Sequence, residues 1–564
     1  MTETLHIVRK DLKQLRWLLL LWIALLIARV AAWSLGLAPR GGQEYEFLLQ
    51  RSTGTIESLL LLVLAFVAAR LVHGEALVGW NAFWLTRPYS RSSLLVAKLL
   101  LATAVFIMLP LVADAVTMGM YHVGPRAQLE AGASFIASYV TWMLLALAMA
   151  ALTSSLGAFV LTTVASFTAL SLVTVAIGAA SVFLREPVSI LTFTIREFNP
   201  TPGIVARLVV DLAMLAVIVY QYRHRRWRTA AAIAATGLVV SLAVPFVPFA
   251  DPAGPDPGEW ARNPSASPAI VESRSQTRPV FVDGSRKRLV YAPVRLQGMP
   301  RDYDINSYFA PVDSTLTLPD GTKVRSRQRT AMAFTAVDPE SGGSLATKRA
   351  ALGDVTLITG ANEGNVQYWP ALTTLSGEQY ARLQGTSGRL DATVQLPLTR
   401  VRRRAVLPLE AGAADDDGLS RIQVIRTERG PAGLMVTILR WRAYSPVSGR
   451  RNPAFSFALY NASRREALTP ASRNQLAVPA GTTSGSNGSP VLSFMGAMSG
   501  GLRHDGLAMA AEQVLFPDRI ERGRDSRTID SNWFAGASLA VLESWYAGTV
   551  TRSVTVEDFM IPAE

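Results

Sequence analysis

The sequence predicts an α-helical membrane bundle of six spans plus a seventh, followed by an all-β extracytoplasmic region of two β-sandwich-like modules. Three observations predict it. Long apolar runs concentrate before residue 250, in a chain of 564 residues that is half hydrophobic. Past "DPAGPDPGEW" the Pro and Gly content rises, and alternation of period two replaces those runs. Basic residues gather in alternate connections between the runs. The chain is too long for one hydrophobic core. Its expected divisions are an interfacial cytoplasmic helix at 1–16, a six-span domain at 17–222, a seventh helix at 229–249, and β modules at 250–400 and 401–564.

A helix needs about 20 apolar residues to cross the hydrocarbon. Seven stretches qualify: 17–37, 54–73, 94–118, 132–153, 157–184, 204–221 and 229–249. The fifth is long enough to tilt or break. The seventh ends in "VPFVPFADP", whose prolines stop a helix. Residues 185–203 hold an apolar run too short to span, ended by Asn199-Pro200 and Pro202, which suits an interfacial outer helix. The first stretch lacks a small-x-small cleavage site, so it reads as a span rather than a signal peptide.

Orientation follows from the basic residues. Arg9, Lys10, Lys13 and Arg16 precede the first span. Arg87, Arg91 and Lys98 lie between the second and third or open the third, and "RHRRWR" (223–228) lies between the sixth and seventh. All fall on one side when the N-terminus is cytoplasmic in the cell membrane, and everything beyond residue 250 is then outside. The turn "TSSLG" between the fourth and fifth is neutral, and the opposite loops mix Arg with Glu.

Beyond the spans, "RLVYAPVRLQG" (288–298), "DATVQLPL" (391–398), "SRIQVIRTE" (420–428), "LMVTILRWRAY" (434–444) and "FSFALYN" (455–461) read as strands. "STLTLPDGTKVRSR" (314–327) reads as a hairpin turning at Pro319-Asp320-Gly321. "LSGEQYARLQG" (375–385) reads as a short helix, and "LAVLESWY" and "TVTRSVTVEDFMI" as closing strands.

Several function classes are excluded or disfavoured. With no cysteine there is no disulfide and no thiolate site. His6, His73, His122, His224 and His504 form no ligand-spaced pair, so no metal or cofactor site is expected. The net charge of +13 follows membrane topology and an Arg-rich composition rather than a nucleic-acid surface. No Walker A, HExxH, GxSxG or GxGxxG pattern occurs, so an ATP-driven role needs the nucleotide on another chain. "ADDDG" (414–418) reads as a solvated turn more readily than a calcium cage. The sequon Asn461-Ala462-Ser463 is short and carries little weight, and His504-Asp505 reads as an exposed turn.

Residues 73–100 stand out. Trp80, Phe83, Trp84, Arg87, Pro88, Tyr89 and Arg91 crowd a short connection. Pro88 removes a backbone donor and turns the chain at Arg87, and Ser90 or Ser92 can cap the next helix. Two readings stand side by side: a rigid surface that passes force from a soluble partner into two helices, or an aromatic belt that anchors in lipid. The stretch resembles the connection between spans 2 and 3 in permease subunits of type-2 ATP-binding-cassette transporters. That family has an acidic residue and a glycine after span 2, a Pro-x-Ser-Arg turn, and a Lys opening span 3. This chain has Glu75, Gly79, "RPYSR" (87–91) and Lys98. "LHIVRKDLKQLRW" resembles the family's basic interfacial helix, and the resemblance covers residues 1 to about 222. The seventh span and the β region depart from it. The resemblance implies a dimer, with itself or a related permease, and a cassette ATPase docking on the N-terminal helix and the 74–91 connection. Glu75, Gly79, Trp84, Arg87, Pro88 and Arg91 would form that coupling surface.

Four charges lie inside spans: Arg29, Asp114, Arg207 and Asp211. An ionisable group at mid-membrane costs about 3 kcal/mol on insertion scales. Their depths allow Arg29 to pair with Asp114 or Asp211. They line a polar path or lock helices as a structural ion pair. The expected function is the permease subunit of an exporter, with no catalytic chemistry of its own. The alternative is a membrane-anchored scaffold whose β modules bind an envelope protein or glycan.

Overall fold

Apolar runs that cannot hydrogen-bond to lipid must close their backbone bonds within helices. The computed structural model describes residues 2–36, 43–74, 90–166, 168, 172, 201–244, 269–272, 287–291, 294–297, 301–305, 310–330, 337–338, 343–359, 371–443, 454–476, 507–522 and 525–561. The helices are α1 (Thr2–Gly36), α2 (Gln43–His73), α3 (Arg91–Thr103), α4 (Leu109–Met120), α5 (Pro125–Leu152), α6 (Leu156–Ser166), α7 (Thr201–His224) and α8 (Trp227–Ala243). Five helical segments are long and apolar enough to cross a membrane: α1, α2, the α3–α4 rod, α5 and α7. Their outer faces carry bare apolar side chains such as Trp17, Ile27, Val112 and Leu212, as lipid contact requires.

Three helical expectations change in detail. The interfacial helix at 1–16 and the first span are one continuous helix of 35 residues. Of the fifth stretch, α6 covers the start, and its part beyond residue 172 lies outside the described residues, as does most of the 185–203 loop. Of the seventh, the helix α8, 17 residues long, covers 229–243 and turns back along α7. Arg225 sits at φ 59° in that turn. The two helices touch so closely that a Cβ on Gly237 would fall 2.2 Å from the Ala213 Cβ, so only glycine fits there.

The third span is not uniform. A π turn, Ala104–Met108, joins α3 to α4. Pro110 sits just beyond it, and its missing N–H and bulky ring exclude an ordinary bond to Phe106. Trp22 on α1 donates its indole N–H to the Val105 carbonyl at 3.1 Å. The Trp22 ring stands edge-on to Phe106, and both are buried.

The β region uses alternation to serve several cores at once. The strands of its two largest sheets are β1 (Tyr303–Ile305), β2 (Ala310–Thr317), β3 (Lys323–Thr330), β4 (Thr356–Ile358), β5 (Ser387–Leu407), β6 (Ala414–Asp416), β7 (Ser420–Gly430), β8 (Gly433–Ala443), β9 (Ala454–Asn461), β10 (Glu466–Leu468), β11 (Ser472–Leu476), β12 (Leu507–Pro517) and β13 (Ala537–Met560). The largest sheet runs β3-β2-β5-β13-β9-β10-β4, with β1 beside β5, and a five-stranded sheet runs β6-β7-β8-β12-β11. Four antiparallel strand pairs accompany them: Ala269–Glu272 with Val294–Gln297, Lys287–Tyr291 with Ala371–Ser376, Val337–Asp338 with Gly343–Ser344, and Arg519–Arg522 with Asp525–Thr528. The β2–β3 hairpin turns through Gly321 at φ 81°, where Pro-Asp-Gly predicts it. The 375–385 stretch holds the helix Gly377–Leu383, opened by a Ser376–Gln379 capping box.

The two closing strands are one. β13 pairs with β5 antiparallel from Ser387↔Met560 to Leu407↔Leu539. This ladder runs through residue 400, the expected module boundary. One core, with Val312, Leu390, Val394 and Val556, lies toward one end of it. A second core lies toward the other, where Leu407, Phe457 and Val541 of one sheet meet Ile422, Val436, Ile438 and Phe516 of the other. Both cores therefore draw on the C-terminal strand.

Strand β8 is apolar on both faces. Leu434, Val436 and Ile438 point into the core between the sheets. Leu439, Trp441 and Ala443 join the helical core, together with Leu507 and Met509 of β12. Opposite faces of one strand thus pack on a sheet and on α5. A Cβ on Gly124, in the turn before α5, would lie 4.0 Å from the Gly418 carbonyl. The β region is therefore seated at the α4–α5 turn, the bundle end opposite the start of α1.

Between the sheets, Glu512 is fully buried and takes Arg440 Nε at 2.7 Å, with Arg473 as its second partner. The two guanidiniums also stand over Phe455 and Phe457. Burial pushes the Glu512 carboxyl up, and the attraction of Arg440 and Arg473 outweighs it, so the carboxyl lies below its ordinary value. A carboxyl lowered on folding stabilises above its unfolded value of about 4.3 and loses that contribution as pH falls through the folded value. The melting temperature of the β region should therefore drop below about pH 4. Glu512→Gln should be less stable than wild type at neutral pH, with the gap narrowing on acidification. Trp441→Ala should cost about 3–5 kcal/mol, read as faster hydrogen exchange in β8 and in the first turns of α5 together.

Candidate functional site

The helical interior holds a compact ionic cluster. On α1, Trp22, Leu26, Arg29 and Trp33 recur at helical spacing and share a buried face. On α4, Pro110, Ala113, Asp114, Thr117 and Met118 form the buried face. The π turn makes this alignment possible, because its extra residue rotates α4 by about 100° relative to α3. Arg29 Nη2 reaches Asp114 Oδ1 at 2.6 Å. Arg29 Nε lies 3.0 Å from Glu57 Oε1 on α2. The Tyr139 hydroxyl on α5 donates to Asp114 Oδ2 and stands 3.4 Å from Arg29 Nη1. Four membrane segments therefore meet at one guanidinium, and all four residues are buried.

Arg29 and Asp114 are brought together as their depths allow. Asp211 makes no ion pair with Arg29 among the described residues. Arg207 instead donates from Nε to Thr141 Oγ1 at 3.0 Å and from Nη2 to Ser138 Oγ at 2.9 Å, joining α7 to α5. Asp211 lies one turn further along α7, half-buried.

A second buried ion pair lies toward the other end of the bundle. Lys98 Nζ on α3 reaches Asp11 Oδ2 on α1 at 2.7 Å, with both side chains under 6% exposed. Ser90 caps α3, accepting the Ser93 N–H at 3.0 Å. At the end of α2, His73 Nε2 donates to the Ala150 carbonyl at 3.0 Å and lies 3.1 Å from Thr153 Oγ1. Glu75, Gly79, Trp84, Arg87 and Pro88 lie outside the described residues, and Arg91 is the first residue of α3. Both flanks of that connection are thus fixed to the bundle, by His73 before it and by Lys98 after it.

Two motifs of the β region prove structural. In "ADDDG", Asp416 and Asp417 accept backbone N–H groups of Gly418, Leu419 and Ser420, while Asp415 and Asp417 flank Arg404. Asn461 of the sequon is buried: it donates to the Trp533 carbonyl at 2.8 Å and accepts from the Ser463 hydroxyl. His504 lies outside the described residues.

Sequence reasoning missed Glu57, Tyr139 and the Asp11–Lys98 pair. Glu57 carried a signal: it is a carboxylate inside the stretch read as the second span. Lys98 carried a weaker one, four residues inside an apolar run. Tyr139 and Asp11 carried none, because neither is unusual where it stands.

The model of a protein family of unknown function, DUF2705, matches residues 24–220. That is about a third of the chain, from the middle of α1 to the last turns of α7. The match takes in all four residues of the Arg29 cluster and leaves out the β region. No curated protein and no solved structure matches the chain.

The Asp11–Lys98 pair can be tested by a double-mutant cycle. Lys98→Met or Asp11→Leu alone should destabilise the bundle by about 3–5 kcal/mol, because each leaves a buried charge unmatched. The double variant should recover most of the loss, measured by thermal unfolding in detergent.

Proposed function

We propose that the chain is the membrane subunit of an ATP-driven exporter of the type-2 cassette class. The observation that carries this reading is the Asp11–Lys98 ion pair. It clamps the basic N-terminal helix to the start of α3, directly after the 74–91 connection. A soluble motor pressing on either element would move both, and with them the α3–α4 rod that carries Asp114.

In this reading the end bearing Arg9, Lys10, Lys13 and "RHRRWR" is cytoplasmic, six spans and α8 cross the cell membrane, and the β modules stand outside. Their seat at the α4–α5 turn supports it, since that turn lies at the bundle end opposite Asp11. A separate cassette ATPase binds nucleotide and docks on the N-terminal helix and on Glu75, Gly79, Trp84, Arg87, Pro88 and Arg91. Two permease chains, identical or related, enclose the pathway. Arg207 and Asp211 lie beside Ser138 and Thr141 on a polar stripe suited to line it.

Purification in mild detergent from native membranes tests the reading. The expected result is a stoichiometric cassette ATPase that co-elutes with the wild type and is lost from Glu75→Ala/Arg87→Ala, with chain expression unchanged. Absence of the ATPase, under conditions that keep a control transporter complex intact, would overturn it. The firmly seated β region would then favour a scaffold for an envelope partner.

A further inference from the structure

Where the lipid-facing side of a helix leaves the hydrocarbon it has to meet headgroups, and α1 turns cationic there. Arg9, Lys13, Arg16, Leu20, Ile23 and Ile27 recur at helical spacing on one side of α1, and all are exposed. The opposite side, with Ile7, Asp11, Leu15 and Trp22, is buried in the bundle. Leu20, Ile23 and Ile27 belong to the span and face lipid. The three cations continue the same stripe toward the start of the helix, and they stand on neither the packed side nor a separate aqueous one. The helix is long enough to carry them there: its 35 residues rise about 52 Å, against about 30 Å of hydrocarbon. The Asp11–Lys98 pair holds these turns against α3 and so fixes the direction in which the stripe points.

The pattern recurs on α8. Arg228, Ala232, Ala235 and Val239 share an exposed side, opposite the buried Ala230 and Gly237, and Arg226 precedes them in the turn. The α8 helix starts where α7 ends, and α7 packs on α3, the half of the rod that carries Lys98. Both stripes therefore turn cationic at the same end of the bundle. Each also sets an exposed tryptophan beside its arginine. Trp17 is 70% exposed, with the Arg16 guanidinium 5.3 Å from its ring centre; Trp227 is 52% exposed, with Arg228 at 5.7 Å. An indole settles at the headgroup boundary, and a guanidinium set over it can still turn its planar fork of N–H groups to phosphate oxygens. Among the described residues, Arg9, Lys13, Arg16, Arg226 and Arg228 have no carboxylate within ion-pair distance.

We propose that the two stripes form a binding surface for anionic phospholipid headgroups. A zwitterionic headgroup brings its own ammonium and gains little from this rim. An anionic one brings net charge, worth about fivefold in affinity for each Lys or Arg near it. An acidic soluble protein is the other occupant that such charge could take. The continuity of the cations with Leu20 and Ile27, and the exposed indoles beside them, favour lipid. This inference depends on the membrane setting of the bundle and not on the transporter reading.

Electron spin resonance tests it. The full chain is reconstituted in phosphatidylcholine vesicles that hold a trace of spin-labelled phosphatidylglycerol or spin-labelled phosphatidylcholine, and the fraction of each label immobilised at the protein is read. Phosphatidylglycerol should associate several-fold more strongly than phosphatidylcholine, and about 1 M salt should remove most of that preference. The triple variant Arg9→Gln/Lys13→Gln/Arg16→Gln and the pair Arg226→Gln/Arg228→Gln should each lower it, while lysine in place of each arginine should keep it. The substituted residues lie outside the packed side, so the melting temperature should be unchanged. Equal association of the two lipids in the wild type, or a preference that survives both sets of glutamine substitutions, would overturn the proposal. So would a preference lost in inorganic phosphate but kept in chloride of the same ionic strength, which would mark a site for the free anion. If a variant fails to fold, the wild-type preference and its salt dependence decide.

Discussion

A guanidinium buried among membrane helices has to find its counter-charges inside the protein, and the helical arrangement follows from that requirement. Arg29 draws α1, α2, α4 and α5 to one point, through Glu57, Asp114 and Tyr139. In lipid, apolar contact between helices offers little preference over lipid itself, so polar contacts and close packing set which faces meet. Trp22 on the Val105 carbonyl and Ala213 against Gly237 add to that specificity. The π turn at 104–108 belongs to the same requirement, because it aims Asp114 at Arg29. Pro110, an apparent defect in an apolar span, is therefore part of the ionic site.

Period-two alternation does the corresponding work in the β region. A strand with two apolar faces has to be covered twice. β8 is covered by a sheet on its even-numbered face and by α5 on its odd-numbered face. This fixes the β region to the helical bundle without any crosslink, in a chain that has no cysteine. The antiparallel β5–β13 ladder acts in the other direction, tying two cores into one body through strands of 21 and 24 residues.

Much of this was legible in the residues. The apolar runs marked the helices, the Pro-Asp-Gly turn marked the β2–β3 hairpin, and the pair of candidates Ser90 and Ser92 marked the start of α3, which Ser90 caps. Each signal is local, carried by composition or by a capping or turn residue. Partnerships across the chain were legible only where chemistry left few choices. Arg29 demanded a carboxylate, and Asp114 and Asp211 both stood at a suitable depth; Asp114 is the one it meets. Glu57 demanded a cation by the same logic and was passed over inside a hydrophobic stretch. The continuity of β5 through residue 400 was not legible, because both halves alternate correctly and only the pairing with β13 joins them. The double-sided role of β8 was half legible: "LMVTILRW" is too apolar for a strand with one wet face, but nothing in it names α5 as the cover.

The two buried ion pairs divide the labour along the bundle. Asp11–Lys98 lies near the end where α1 begins and joins α1 to α3. The Arg29 cluster lies toward the other end, near the seat of the β region. The α1 helix and the α3–α4 rod carry one partner of each pair, so the two elements are joined at two depths along their length. Helices of this length are stiff on the scale of a side-chain contact. The α2 helix joins the others at two depths, through Glu57 against Arg29 in the cluster and through His73, whose Nε2 donates to the Ala150 carbonyl at the helix end. Polar contacts at both depths therefore hold it in register with α1 and α5.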